Sequence, residues 1–396
     1  MKSKVGSLLR VPKPIWVLGF VSLFTDLGSE IVHSLLPLML VGTLGASALA
    51  VGLIEGAAEA LVLITKVFSG YISDAFGKRK PLVLLGYGLA AVVKPIFPLA
   101  DSVGAVVAAR MLDRFGKGIR GAPRDALVSD FSPPEIRGAS FGLRQSMDTV
   151  GAVLGPLVAV GLMAVFMDDI STVLWFAVLP GLVAVLLLVM FVKEPVHVIK
   201  SARLPISRKG VALLGSRYWL IVMVGGLFSL ARFSEAFLIL RGSQLGLANT
   251  FVPLILVAMS LFYTLVAYPA GVLSDRFGRK LLFLAGIVTL VGADLVLATA
   301  GSPIEVFVGA AMWGVHMGLT QGVLTAMIAD ESPAEYRGTA FGVFSLVCGV
   351  ALLVASALAG LLWDRQGPQA AFLTGATVAT VSLLAALFSL PKRRAA

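Results

Sequence analysis

GYISDAFGKRK, residues 70–80, decides the fold, because GVLSDRFGRK at residues 271–280 repeats it at an offset of 201. A second pair agrees. SDFSPPEIRGASFG (129–142) returns as ADESPAEYRGTAFG (329–342), offset by 200. Two matches at nearly one offset mean that the chain is built from two like halves. Each matched segment is a polar turn set between long apolar runs, so the repeated unit is a set of apolar segments joined by charged loops.

Composition says what those segments are immersed in. Of 396 residues, 58% are hydrophobic and 14% are charged, and the mean hydropathy is +0.95. A soluble domain is about 45–50% apolar and about 25% charged. A water-soluble globule cannot hide so much apolar surface, since the buried fraction saturates with size. A soluble enzyme, a nucleic-acid binder and a disordered chain are excluded, and the solvent for most of the chain is lipid. A helix of roughly 20 apolar residues spans a bilayer. Twelve such runs are present, near 14–41, 48–72, 82–100, 103–127, 138–166, 172–192, 218–240, 251–273, 281–300, 304–328, 338–362 and 370–390. They lack the alternation of a barrel strand, and helices satisfy their own backbone groups, as lipid requires. The expected fold is an all-α membrane protein: twelve transmembrane helices in two pseudo-symmetric six-helix bundles. The bundles are residues 1–192 and 218–396, and the polar interval 193–217 is a cytoplasmic linker.

Lysine and arginine set the orientation. Loops on the side of the N-terminus carry 21 of the 32 basic residues, and the opposite loops hold Arg365 and at most Arg241 besides. Positive loops stay in the cytoplasm, so both termini are expected there, in a bacterial inner membrane. The first apolar run is too long for a signal-peptide core and no cleavage site follows it, so it is read as a retained span.

At this point the repeated loop can be named. It resembles the motif Gly-x-x-x-Asp-x-x-Gly-Arg/Lys-Arg/Lys of the major facilitator superfamily, between its second and third spans. Here it is Gly70, Asp74, Gly77, Lys78 and Arg79, then Gly271, Asp275, Gly278, Arg279 and Lys280. The first copy departs from the family at Ala75. Glycines permit a positive-φ turn and close approach; a carboxylate near helix ends can cap or pair. The loop charges read either as topology anchors alone or, as the resemblance implies, as a conformational latch.

Ionisable groups inside the membrane are functional candidates by default, and they crowd the first half. Asp26, Glu30 and His33 share one face of span 1; Glu55, Glu59 and Lys66 share one of span 2. Arg110, Arg114 and Lys117 do so on span 4, and Arg144 with Asp148 on span 5. Charge on one side of an apolar helix turns that side inward, which implies a hydrated cavity in the first half. The second half offers Arg232, Glu235 and Asp294, with Arg241 and Glu305 at the edges. Any one of these is either a member of a neutralising structural network or a group that carries a proton. Asp26, Glu30 and Glu59 fit proton coupling best. Arg120, Arg124 and Asp125, near the cytoplasmic end of span 4, read as snorkelling side chains. His316, amid Trp313 and Met317, reads as packing. Arg114-x-x-Lys117-Gly118 resembles the family's Arg-x-x-Gln-Gly, whose arginine is associated there with coupling protons to substrate; Lys117 replaces the glutamine. Cations on one cavity wall also favour an anionic substrate group. Gly142, Gly151, Gly155 and Pro156 resemble the span 5 pattern of antiporting members, with Ala159 and Val160 where a terminal glycine pair would stand.

The resemblance implies a secondary transporter working by alternating access. The expected function is proton-coupled efflux of a small organic or drug-like solute. A lipid or amphiphile flippase and a proton-coupled uptake symporter are the alternatives, ahead of a membrane-embedded enzyme or a sensor. No phosphate-binding loop, catalytic motif or metal-ligand cluster is present in the sequence, and Cys348 is the single cysteine. The expectation is therefore no enzyme, no cofactor, no metal and no nucleic acid. Protons, the bilayer and a small or amphiphilic substrate are the expected partners of a monomer.

Overall fold

The computed structural model of the protein describes residues 11–133, 136–194, 206 and 208–390. These are helical almost throughout, with no strand among the described residues. The basic residues Lys2, Lys4, Arg10, Lys200, Arg203, Lys392, Arg393 and Arg394 lie outside them. The helices are α1 (Lys13–Leu38), α2 (Ala48–Phe76), α3 (Lys80–Val93), α4 (Ile96–Leu99), α5 (Val103–Phe131), α6 (Arg137–Val165), α7 (Ile170–Trp175) and α8 (Val178–Phe191). Then follow α9 (Arg208–Ala212), α10 (Ser216–Ala231), α11 (Ala236–Gln244), α12 (Leu254–Phe277), α13 (Arg279–Thr299), α14 (Pro303–Asp330), α15 (Arg337–Gln366) and α16 (Pro368–Ser389).

Among the described residues, ten helical runs are long and apolar enough to cross a membrane. The other two expected spans, α5 and α14, have the length, at 29 and 28 residues, and lack the apolarity. In α5 the reason is the charge it carries; in α14, Glu305, His316 and several small residues dilute its hydropathy. The fold is an all-helical membrane protein with twelve spans. Exposed Leu179, Leu182, Leu186 and Met190 on α8 show the outward face that lipid, unlike water, accepts.

Several spans are broken where the sequence leaves backbone groups unpaired. Proline lacks the N–H of the helical ladder. Pro37 precedes a π-turn at Met39–Thr43 that ends the first span. Pro95 separates α3 from α4. The seventh span opens between α10 and α11, where Arg232 leaves the helical region at φ −100°, ψ 104°. Asp169 caps α7: its carboxylate accepts from the Thr172 hydroxyl at 2.6 Å and the Thr172 N–H at 3.2 Å. Those bonds hold the carboxyl below its ordinary range. The repeated loop turns as its glycines require, with φ +61° at Gly77 and +92° at Gly278.

By internal contact the chain divides into two compact units: residues 1–35 with 61–205, and residues 36–60 with 206–396. The division does not follow the sequence halves, because the start of α2 packs on α15. Gly52 and Gly360 make this possible. A Cβ on Gly52 would sit 2.1 Å from the Ser356 carbonyl oxygen, and one on Gly360 2.4 Å from that of Ala48. Asp364 completes the contact. Its two oxygens accept from the N–H groups of Ala48 and Leu49, each at 2.9 Å, and so cap α2 from 316 residues away. Replacing such a cap costs about 1–2 kcal/mol. Asp364→Ala is therefore expected to lower the melting temperature in detergent, with Asp364→Asn in between. An unchanged Tm in Asp364→Ala would show that the cap is dispensable.

Candidate functional site

In the first unit the charged faces of α1, α5 and α6 come together. α5 buries Arg110, Asp113 and Arg114 and half-buries Lys117. α1 supplies Asp26 and Glu30; α6 supplies Arg144 and Asp148. Asp26 and Asp148 form a facing acid pair between the two helices, each within the other's field. Cations surround it. Lys117 and Arg120 act on Asp26. Arg124 and Arg144 approach Asp148 at 3.9 and 3.6 Å. Glu30 faces His33 at 3.3 Å and lies within the field of Lys117 and Arg114.

The glycine pattern of span 5 explains how α6 reaches these carboxylates. A Cβ on Gly151 would lie 2.5 Å from the Leu23 carbonyl oxygen and 3.2 Å from Asp26 Cβ. One on Gly155 would lie 2.6 Å from Glu30 Cβ and 2.8 Å from the Leu27 carbonyl oxygen. Both glycines therefore seat α6 directly on the acidic face of α1, next to a buried Pro156. Gly142, the first glycine of the pattern, has open space around it. Gly155→Ala is expected to push α6 from α1 and to cut transport strongly, whereas Gly142→Ala leaves it near wild type. Equal activity of the two variants would contradict the packing role.

A second network lies beside the first. Lys94 enters from the break after α3, its stem against Gly28 and Gly181. Its ammonium donates to Ser29 Oγ at 3.1 Å and stands 3.8 Å from Asp113. Arg114 reaches the other oxygen of Asp113 at 3.7 Å. Lys94 is an addition that helix-face spacing does not single out. The snorkelling expectation at the end of α5 is corrected. Arg120 is 3% exposed, and its guanidinium lies 4.5 Å from the centroid of the Tyr87 ring. A cation over an aromatic face is stabilised inside the unit. Arg124 pairs with Asp125 at 3.1 Å and with Asp148, rather than reaching for the loop.

In the second unit Arg232 and Glu235 sit in the break between α10 and α11. Glu59, which belongs to this unit, and Glu235 both act on the Arg232 guanidinium. His316 is buried against Trp313, ring centroids 5.3 Å apart, as the packing expectation had it.

The repeated loops hold a partner that the motif alone did not reveal. Arg79 pairs with Asp130 at 2.6 Å and with the exposed Asp74 at 3.7 Å. In the second copy Arg279 pairs with Asp330 and donates to the Ala326 carbonyl. Asp130 and Asp330 occupy matching positions of the second repeated segment, offset by 200, and that repeat was the available signal. Glu194 is a further addition: it accepts from the N–H groups of Arg79 and Lys80 at 2.8 and 2.7 Å and caps α3. Gly70 gives close approach, since a Cβ there would lie 3.3 Å from Ala122. The side chain of Asp275 lies outside the described residues.

Acids and cations thus crowd together inside one helical unit of a membrane protein. The family model described as Major Facilitator Superfamily matches residues 18–242 and 229–396. An uncharacterized MFS-type transporter of Methanocaldococcus jannaschii is 32% identical over 391 residues, covering 96% of this chain and 95% of its own. Multidrug resistance protein MdtH of Yersinia pestis is 32% identical over 143 residues, or 36% of this chain and 35% of its own. A solved structure of the nucleoside transporter NupG matches with a TM-score of 0.81 over 96% of this chain and all of its own, at 13% identity, a likeness of fold alone. With its family model matched along nearly the whole sequence, the chain belongs to the Major Facilitator Superfamily of membrane transporters.

Proposed function

We propose that the chain is a proton-coupled efflux transporter working by alternating access, with a small, drug-like organic solute that carries an anionic group. The facing acids Asp26 and Asp148, ringed by cations, carry this reading. In it the pair shares one proton on the α1–α6 seam, where Gly151 and Gly155 hold the helices in contact. Arg110, Arg114, Lys117 and Arg144 supply positive charge around it, fitting a solute anion that competes for the same cations. Arg232, Glu235 and Glu59 form the corresponding set in the second unit. The span 5 pattern and the name of the multidrug relative both favour export. In this reading the protein works as a monomer in a bacterial cytoplasmic membrane. Its termini and its linker, residues 193–217, are on the cytoplasmic side, between bundles 1–192 and 218–396.

The repeated loops act as latches in the same reading. Asp74→Asn is expected to keep solute affinity and slow the cycle, and Asp130→Asn to slow it more, because Asp130 makes the shorter bond to Arg79. Unchanged rates in both would remove the latch.

The test of function uses proteoliposomes with an imposed pH gradient and a pH-sensitive dye inside, challenged with drug-like anions, cations and labelled lipid. Collapse of the gradient by a soluble anion is expected. Lipid movement without proton flux would replace this reading with a flippase, and solute flux with no proton flux would overturn the coupling.

A further inference from the structure

The second unit holds one acid that the proposed cycle does not use. Asp294, on α13, is fully buried, and neither carboxyl oxygen has a hydrogen-bond partner. Its Oδ2 lies against Gly375 of α16, where a Cβ would be 2.7 Å from it and 2.9 Å from Cε1 of Phe233. Phe233 follows Arg232 in the break of the seventh span, and its ring packs on Phe372 and Trp313 at 5.4 and 5.3 Å. The carboxyl thus faces aromatic rings and a bare glycine backbone.

No charge on the surrounding elements answers it. Arg241 of α11 donates to the carbonyls of Leu297 and Ala300, at 3.1 and 2.7 Å, and to Gln244. On α14, Glu305 accepts from the Gly301 N–H at 2.6 Å, and His316 is enclosed by Trp313 and Phe228. Arg232 lies over the Phe228 ring. The ionisable side chains of α12 are Tyr263, Tyr268, Asp275 and Arg276, the last two in its final turns; α16 has none. At about 1.5 Å per residue, the start of α13 with Arg279 and Lys280 is roughly 20 Å away along the helix.

An ionised carboxylate left without a partner in such a place costs several kcal/mol, far more than the neutral acid. Ionisation therefore needs a second arrangement, in which water or a cation reaches the group. The parts for one are adjacent. Phe233 belongs to a broken helix segment that can swing its ring aside. Arg241 holds the α13 backbone at Leu297, one turn beyond Asp294. A shift between α11 and α13 would exchange carbonyl partners for the carboxylate.

We propose that Asp294 is a second proton-binding residue, which binds its proton while Phe233 and Gly375 enclose it and releases it when the broken seventh span uncovers it. This rests on the proton-coupled reading only in assigning the proton a use; the site itself can be read without transport. The experiment is pH-jump infrared difference spectroscopy on the full-length protein in lipid nanodiscs, with no solute present. A protonated-carboxyl C=O band that grows on acidification is expected in the wild type. It should be lost in Asp294→Asn and displaced in Asp294→Glu and Gly375→Ala, while remaining in the Asp26→Asn/Asp148→Asn double variant. A difference spectrum unchanged in Asp294→Asn, or a band that neither Asp294→Glu nor Gly375→Ala moves, would overturn the assignment. Should the band behave as expected while the liposomes show no proton flux, Asp294 stands and the coupled reading of transport falls.

Discussion

Asp26→Asn is expected to abolish gradient-driven transport, with a loss on the order of 100-fold, as removal of a positioned proton carrier typically produces. Asp148→Asn should do the same, since in the proposed cycle each acid supplies half of the shared proton site. The two losses should not add: once either acid is gone the shared site is gone, so the double variant resembles the singles. An amide keeps the shape and a hydrogen bond, so both proteins should still fold and still exchange solute down its own gradient. Counterflow that survives while proton-driven flux is lost separates a coupling role from a packing role. Full proton-driven flux in both variants would remove the pair from the mechanism.

The second large effect is on stability. Asp113→Asn leaves Lys94 and Arg114 buried beside a neutral group, and removing one partner of a buried pair costs about 3–5 kcal/mol. Lys94→Met should cost less, because Asp113 keeps Arg114 and only the Ser29 hydroxyl loses its partner. Together the two substitutions should cost less than their sum, since Lys94 is then no longer left buried beside a neutral group. Thermal unfolding in detergent measures all three. Strict additivity would mean that Lys94 and Asp113 do not form an energetic pair, and that their proximity at 3.8 Å contributes nothing.

Much of this was readable in the sequence, for a physical reason. Lipid forces each span into one long apolar run, and a helix brings residues three and four apart onto one face. Asp26 with Glu30, and Arg144 with Asp148, were therefore visible as pairs on their own helices. Gly151 and Gly155 were visible as small residues on a common face. What spacing cannot give is which helix each face meets. The facing of Asp26 and Asp148, the reach of Lys94 to Asp113 and the cap that Asp364 places on Ala48 and Leu49 join segments far apart in the chain, and no local pattern encodes them. Arg120 was misread because its place near a helix end suggested water. The Tyr87 ring that covers it comes from α3. Asp130 and Asp330 were within reach, since they match each other in the second repeated segment, but a motif ending at its own loop directs attention away from them.

At the centre of the proposed cycle Asp26 and Asp148 share one proton. This is tested by proton release from the purified protein in weakly buffered detergent solution, on adding the solute that most strongly collapses the liposome gradient. The prediction is that the wild type releases a proton as the anion draws the surrounding cations, and that Asp26→Asn binds the same solute and releases none. Solute binding with no proton release by the wild type, or equal release by Asp26→Asn, would contradict it.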